Sequence, residues 1–150
     1  MNFEIIDYQP EYKDDVFHMM LALYEDSIQQ QQMSSEKILK TLSVIPNHPQ
    51  MGKILLFKHQ DTLLGYTLLI NYWSNEYGGN ILYIDELFVK SDYRSLGIGS
   101  TFFAHLEEHV DNNTVALCLE TTPQNKKAQS FYEKNKFEIY ENIFYFKELQ

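Results

Sequence analysis

Residues 94–109, RSLGIGSTFFAHLEEH, offer two kinds of chemistry on one stretch. In the first half, Arg94, Ser95, Leu96, Gly97, Ile98, Gly99 and Ser100 have the spacing R-x-x-G-x-G. A helix start carries unpaired N–H groups and the positive end of the helix dipole, so it attracts phosphate. Glycines there clear side chains from the approach and permit backbone angles that other residues avoid. Arg94 adds a cation at the mouth. Taken alone, the spacing also fits a tight strand-to-helix turn that binds nothing. In the second half, His105, Glu108 and His109 have H-x-x-E-H spacing, which puts both imidazoles on one helix face, as in one class of zinc peptidases. Such a site needs a third ligand and an open metal position. His18, His48 and His59 show no spacing that announces a partner. The apolar stripe Ile98, Phe102, Leu106, Val110 runs beside the two histidines, so they fall at its edge, and no metal is expected.

The elements that must hold these residues read as an α/β domain. FEIIDY (Phe3 to Tyr8) has the content of a first strand. Pro10 suits a first helical position, and Val16, Met19, Met20 and Leu23 recur at helical spacing. The glutamine run Ile28 to Met33 reads as a solvated bend or helix end. Ser34 or Ser35 caps a second helix, with Glu36 in its first turn. Three strands in meander order follow at about 53–59, 62–73 and 80–89, joined by HQD and NEYGGN turns. A helix at 97–111, a buried strand Thr114 to Thr122, a helix Asn125 to Asn135 and a closing pair of short strands in FEIYENIFYF complete the chain. Cys118 alternates within the buried strand and reads as a small core residue.

With 150 residues, the chain suits one domain and is short for two. Its net charge of −9 disfavours nucleic acid and anionic membranes and favours cationic partners such as amines, although acidity also serves solubility alone. No run approaches the roughly eighteen apolar residues of a membrane span. The N-terminus lacks the basic start and apolar block of a signal peptide. The single cysteine excludes an internal disulfide framework and agrees with a reducing compartment, so the expected location is the cytoplasm.

The segment YIDELFVKSDYRSLGIGSTFF places the glycine turn between an apolar strand and an amphipathic helix. Here the sequence resembles the GNAT acyltransferase superfamily, whose acyl-CoA-binding signature is a Q/R-x-x-G-x-G/A turn in that setting. It looks most like the diamine (spermidine/spermine-type) acetyltransferase branch. A second motif, NKKAQSFYEKNKF, resembles the family's N-x-x-A-x-x-F/L-Y-x-x-x-G-F through Asn125, Ala128, Phe131, Tyr132 and Phe137. The resemblance implies one domain over 1–150. Its expected fold is a mixed, mostly antiparallel sheet of about 6–7 strands, splayed between strands 4 and 5, with about four helices. The sequence departs from the pattern at Ser91, at Ser95 (a glycine in many members) and at Lys136. Lys136 stands where a glycine ends the helix left-handed, which costs about 1 kcal/mol unless Asn135 takes that role.

The same resemblance implies transfer of acetyl from acetyl-CoA to an amine. Backbone groups of Leu87, Phe88 and Val89 would pair with the pantetheine arm, the 94–100 turn would take the pyrophosphate, and Asn125 would bond the CoA arm. A strand N–H would serve the oxyanion. Tyr132 matches the tyrosine that protonates the leaving thiolate. Glu86 and Glu120 are candidate water-linked bases and Asp85 a candidate amine anchor; as strand neighbours, Asp85 and Glu86 should point to opposite faces. Trp73, in NYWSNEYGG, matches the hairpin near the amine site of polyamine acetyltransferases, and equally fits a hairpin end or a dimer contact. The expected acceptor is a small cationic amine (polyamine, aminoglycoside or amino-acid-like). A protein amine and a non-catalytic acyl-CoA-binding sensor are the alternatives. Homodimers are common in the family.

Overall fold

The computed structural model describes residues 1–26 and 33–150. The glutamine run therefore lies almost wholly outside the described residues. The chain forms two compact units, Met1–Glu120 and Thr121–Gln150.

The first unit is built on a five-stranded sheet in chain order: β1 (Glu4–Asp7), β2 (Gly52–His59), β3 (Thr62–Ser74), β4 (Gly79–Val89) and β5 (Thr114–Cys118). The first three pairings are antiparallel and the β4–β5 pairing is parallel. The meander falls within a residue of the ranges expected from the turn residues. Helices α1 (Lys13–Glu25) and α2 (Ser35–Asn47) cover one face of the sheet. There Val16, Met19, Met20, Ile38, Leu42 and Ile45 close over Ile54, Leu56, Tyr66 and Leu68. Ser34 caps α2, its Oγ accepting from the Lys37 N–H at 3.2 Å. Helix α3 (Ile98–His109) covers the other face, with Phe102 tilted against Phe57 at 5.3 Å between ring centroids.

β4 carries a bulge. Leu68 pairs with Glu86 and Leu69 with Ile84, so Asp85 is the extra residue opposite that step. The Thr67 hydroxyl, fully buried, donates to the Glu86 carbonyl at 2.8 Å beside the disrupted ladder. β4 and β5 pair only from Asn80–Thr114 to Tyr83–Cys118, while β4 runs on to Val89. From Ile84 onward that edge of β4 therefore has no strand partner among the described residues.

Two expectations are corrected. The strand expected over 114–122 ends at Cys118, and Cys118 is exposed rather than in the core. The reason is that β5 is the sheet's edge strand, with one neighbour to cover it. The expected closing strands are absent among the described residues, leaving five strands instead of 6–7. Strand propensity reflects fit to a half-buried pleated surface. Ile143, Phe144, Tyr145 and Phe146 have no such surface, being 77–87% exposed.

The second unit contains α4 (Lys126–Lys134). Asn125 caps its start, Oδ1 accepting from the Ala128 N–H at 3.1 Å. Its end is a Schellman turn: Phe137 N–H donates to the Tyr132 carbonyl and Lys136 N–H to that of Glu133, both at 3.0 Å. The Tyr132 and Phe137 rings meet edge-on across this turn. Lys136 itself takes the left-handed angle, φ 66°, and Asn135 does not, at φ −92°.

Two stability changes follow. Lys136→Gly relieves the left-handed side chain and raises stability by up to about 1 kcal/mol, read as a higher denaturation midpoint. Thr67→Val keeps the shape but removes the donor beside the bulge, and costs about 1–2 kcal/mol in chemical denaturation.

Candidate active site

The glycine turn sits where β4 hands over to α3. Gly97 adopts φ 83° and precedes the first residue of the helix. The first backbone bond of the helix is Thr101 N–H to Gly97 O at 2.9 Å, which leaves the N–H groups of Ile98, Gly99 and Ser100 at the open end. A methyl group added at Gly97 would meet no protein atom within 4 Å, so glycine is required there by backbone angle and by access to the helix end, not by crowding. Ser95 also takes a left-handed angle, φ 65°. A helix end with unpaired donors and a side-chain-free approach fits a diphosphate.

Arg94 is used differently from a lone cation. Its Nε donates to the Val89 carbonyl at 2.8 Å, and its guanidinium pairs with Asp26 at 2.9 Å and lies over the Phe88 ring at 5.7 Å. It thereby ties the end of β4 and the turn to the C-terminus of α1. Phe88 and Ile98 are buried, while Leu96 is about half exposed.

The bulge sets the carboxylates. Sequence alternation put Asp85 and Glu86 on opposite faces; the extra residue resets the alternation, and both face α1 and α2. Glu86, 8% exposed, accepts from the Tyr24 hydroxyl of α1 at 2.6 Å and from the Tyr66 hydroxyl at 2.8 Å. Burial raises its pKa, the two tyrosine hydrogen bonds oppose that rise, and Asp85 adds to it. Asp85 stands in the wall of a groove of about 380 Å³ with Lys37, Lys40, Thr41, Val44 and Ile45 of α2 and Leu68 and Ile70 of β3. Its pKa is raised by burial and then by the Glu120 carboxylate, although its side chain keeps contact with solvent. Burial and a hydrogen bond to Glu120 push the Tyr83 hydroxyl up, with Asp85 adding a smaller contribution. Asp85, Glu86, Tyr83 and Glu120 thus form one electrostatic cluster at the point where β4 and β5 part.

Trp73 does not join this cluster. The regular register from Leu69 to Ser74 puts it on the opposite face from Ile70, and it is 64% exposed. Tyr132 and Asn125 belong to the second unit. Burial raises the Tyr132 pKa, so its hydroxyl stays protonated at neutral pH. Tyr24, Tyr66 and Tyr83 had not been singled out; nothing in one sequence separates them from the other tyrosines. Lys37, Lys40 and Thr41 were legible as a stripe at i, i+3, i+4, but not the strand residues they face.

The histidine pair is a helix-edge feature. His105 and His109 stack at 4.1 Å, and His109 Nδ1 is 2.8 Å from the His105 carbonyl. Among the described residues no group of three His, Cys, Asp or Glu side chains is placed to hold a metal ion. Nor is any helix among them long and apolar enough to cross a membrane.

A family model described as "Acetyltransferase (GNAT) family" matches residues 14–137, running through both compact units. The chain belongs to the GNAT acetyltransferase family. Over 95 residues it is 28% identical to the uncharacterized N-acetyltransferase YhfO of Bacillus subtilis (strain 168), a match that covers 63% of this chain and 62% of that relative's length. Its fold is similar to that of a possible acetyltransferase from Clostridium difficile 630, at TM-score 0.87 and 20% identity over all of both chains. It is also similar to AAC(6')-Iy in complex with a bisubstrate analog, CoA-S-monomethyl-acetylneamine, at TM-score 0.80 and 12% identity over all of both chains. These likenesses support the α/β GNAT fold with the parallel β4–β5 pair.

The raised Asp85 pKa fixes a sign. A carboxylate whose folded pKa lies above its unfolded one adds stability below the ordinary carboxylate range, and this is lost as pH rises through the folded value. Asp85→Asn removes that loss. The variant is therefore expected to gain thermal stability relative to the natural chain at pH 7, and to gain less at pH 4, in melting curves at the two values.

Proposed function

We propose that this chain transfers an acetyl group from acetyl-CoA to the primary amine of a small molecule. The observation that carries the reading is the glycine-opened start of α3, set directly after a strand whose bulge gathers carboxylates beside a groove. The turn from Arg94 to Ser100 would take the pyrophosphate, with the N–H groups of Ile98, Gly99 and Ser100 as donors. The unpartnered edge of β4 at Leu87, Phe88 and Val89 would receive the pantetheine arm. Asn125 would contribute its amide NH2, since Oδ1 is committed to the cap. Acetyl-CoA supplies an activated thioester when bound.

The chain's own task is to manage protons. An alkyl amine is neutral in roughly one molecule in a few thousand at pH 7, so a nearby base raises the reactive fraction. Both Glu86 oxygens already accept from tyrosines, so it would act only through water. Glu120, exposed and coupled to Asp85 and Tyr83, is the freer acceptor. Asp85 would hold the ammonium in the groove before deprotonation. Tyr132, kept protonated by burial, would donate its hydroxyl proton to the departing sulfur. The diamine-branch likeness rests on YIDELFVKSDYRSLGIGSTFF, with Asp85 and Glu86 as its acidic pair.

Tyr132→Phe tests the reading. Turnover should fall at least about 100-fold in a thiol-release assay with acetyl-CoA and a panel of amines, while CoA binding by calorimetry is retained. Retained binding with no turnover of any amine by the natural chain would favour an acyl-CoA sensor instead.

A further inference from the structure

We propose that the groove beside the bulge selects an amino-acid-like acceptor, an amine that carries its own carboxylate and an apolar body, and disfavours polycations. The inference rests on the acetyltransferase reading and narrows its acceptor.

The groove has three kinds of lining. Val44, Ile45, Leu68 and Ile70 make it mainly apolar, Asp85 contributes its single carboxylate, and Lys37 and Lys40 of α2 bring two cationic side chains to the lining. Their helical spacing explains the arrangement. Ile38, Leu42 and Ile45 form the buried stripe of α2, and the adjacent stripe Lys37, Lys40, Thr41, Val44 then looks into the groove. The Thr41 hydroxyl is spent on the Lys37 carbonyl at 3.1 Å, so it does not offset the lysine charges. No carboxylate among the described residues lies within ion-pair distance of either lysine; the ion pair found there joins Arg94 to Asp26.

That balance runs against the chain as a whole, which has 21 acidic and 12 basic residues. A polyamine would bring several ammonium groups to a wall that offers one carboxylate and two like charges, and such repulsion is how sites reject a competitor. Glu86 and Glu120 act on Asp85 electrostatically, but neither is part of the wall, so neither offers a polycation a direct ion pair there. An amine bearing a carboxylate meets every feature at once: ammonium to Asp85, carboxylate to the lysines, apolar body to the floor. The groove, about 380 Å³, is open to solvent and lies at the lower end of the range for small-ligand sites.

The test is a matched series in the thiol-release assay with the full chain and saturating acetyl-CoA: leucine, leucinamide, isoamylamine and spermidine. Leucine is expected to exceed leucinamide and isoamylamine by about tenfold in kcat/KM, as charge-assisted contacts to a carboxylate warrant, with spermidine lowest. Lys37→Glu with Lys40→Glu, both on the exposed helix surface, should erase the advantage of leucine and raise spermidine. The milder pair Lys37→Gln and Lys40→Gln should erase it without helping spermidine, and this second pair reads out the charge if the first unfolds. Leucine no better than its amide, or spermidine preferred, overturns the inference and leaves the transferase reading standing. No acetylation of any amine by a chain that binds CoA overturns both.

Discussion

One extra residue in β4 governs the arrangement of this molecule. Without the bulge at Asp85, period-two alternation would send one of the two neighbouring carboxylates, Asp85 or Glu86, to the α3 face. With it, two consecutive carboxylates share the α1/α2 face. Neighbouring carboxylates in a partly dry wall are unfavourable unless compensated. The structure compensates them unequally: Glu86 is buried with a tyrosine hydroxyl on each oxygen, while Asp85 keeps contact with solvent in the groove. This division gives each acid a separate part, one anchoring α1 to the sheet and one available to a ligand. The buried hydroxyl of Thr67 belongs to the same device, because a bulge disturbs the ladder and the Glu86 carbonyl gains its donor from that side chain.

The handover from β4 to α3 stores a second constraint. Two residues within three, Ser95 and Gly97, take left-handed angles. Gly97 does so freely, whereas Ser95 does so at some strain. The turn is held in place by Arg94, which links Val89, Phe88 and Asp26. These contacts position the turn from which α3 starts, and in the proposed reading the first N–H groups of that helix, rather than a charged side chain, would hold the anion.

Much of this was legible in the residues. Turn chemistry at His59–Asp61 and around Gly78–Gly79 bounded the meander closely, and Ser34, one of two expected caps, is the cap of α2. The departures from the family pattern were informative too, since Ser95 and Lys136 both turn out to sit at positive φ, where a glycine would be at ease. The bulge was not legible. Nothing in YIDELFV marks an extra residue, because Asp85 and Glu86 satisfy ordinary alternation equally well until the register against Leu68 and Leu69 is known. The C-terminal strands misled for the opposite reason: FEIYENIFYF has strand composition, but composition does not supply an edge to pair with. Lysines on α2 have helical spacing in plain view, yet their meaning depends on which strand residues stand across from them.

Net charge illustrates the same gap between average and local. A charge of −9 suggests attraction for cations, and at long range it also repels an anionic nucleotide. That long-range field is screened beyond about 8 Å at physiological salt, so recognition falls to short-range donors. In the proposed reading, backbone N–H groups at the start of α3 would supply them without altering the net charge. The groove reaches the reverse outcome by the same locality, presenting two cations in an acidic chain. Composition therefore sets what approaches from a distance, and in the proposed reading the two built features, the helix end and the groove beside the bulge, set what stays.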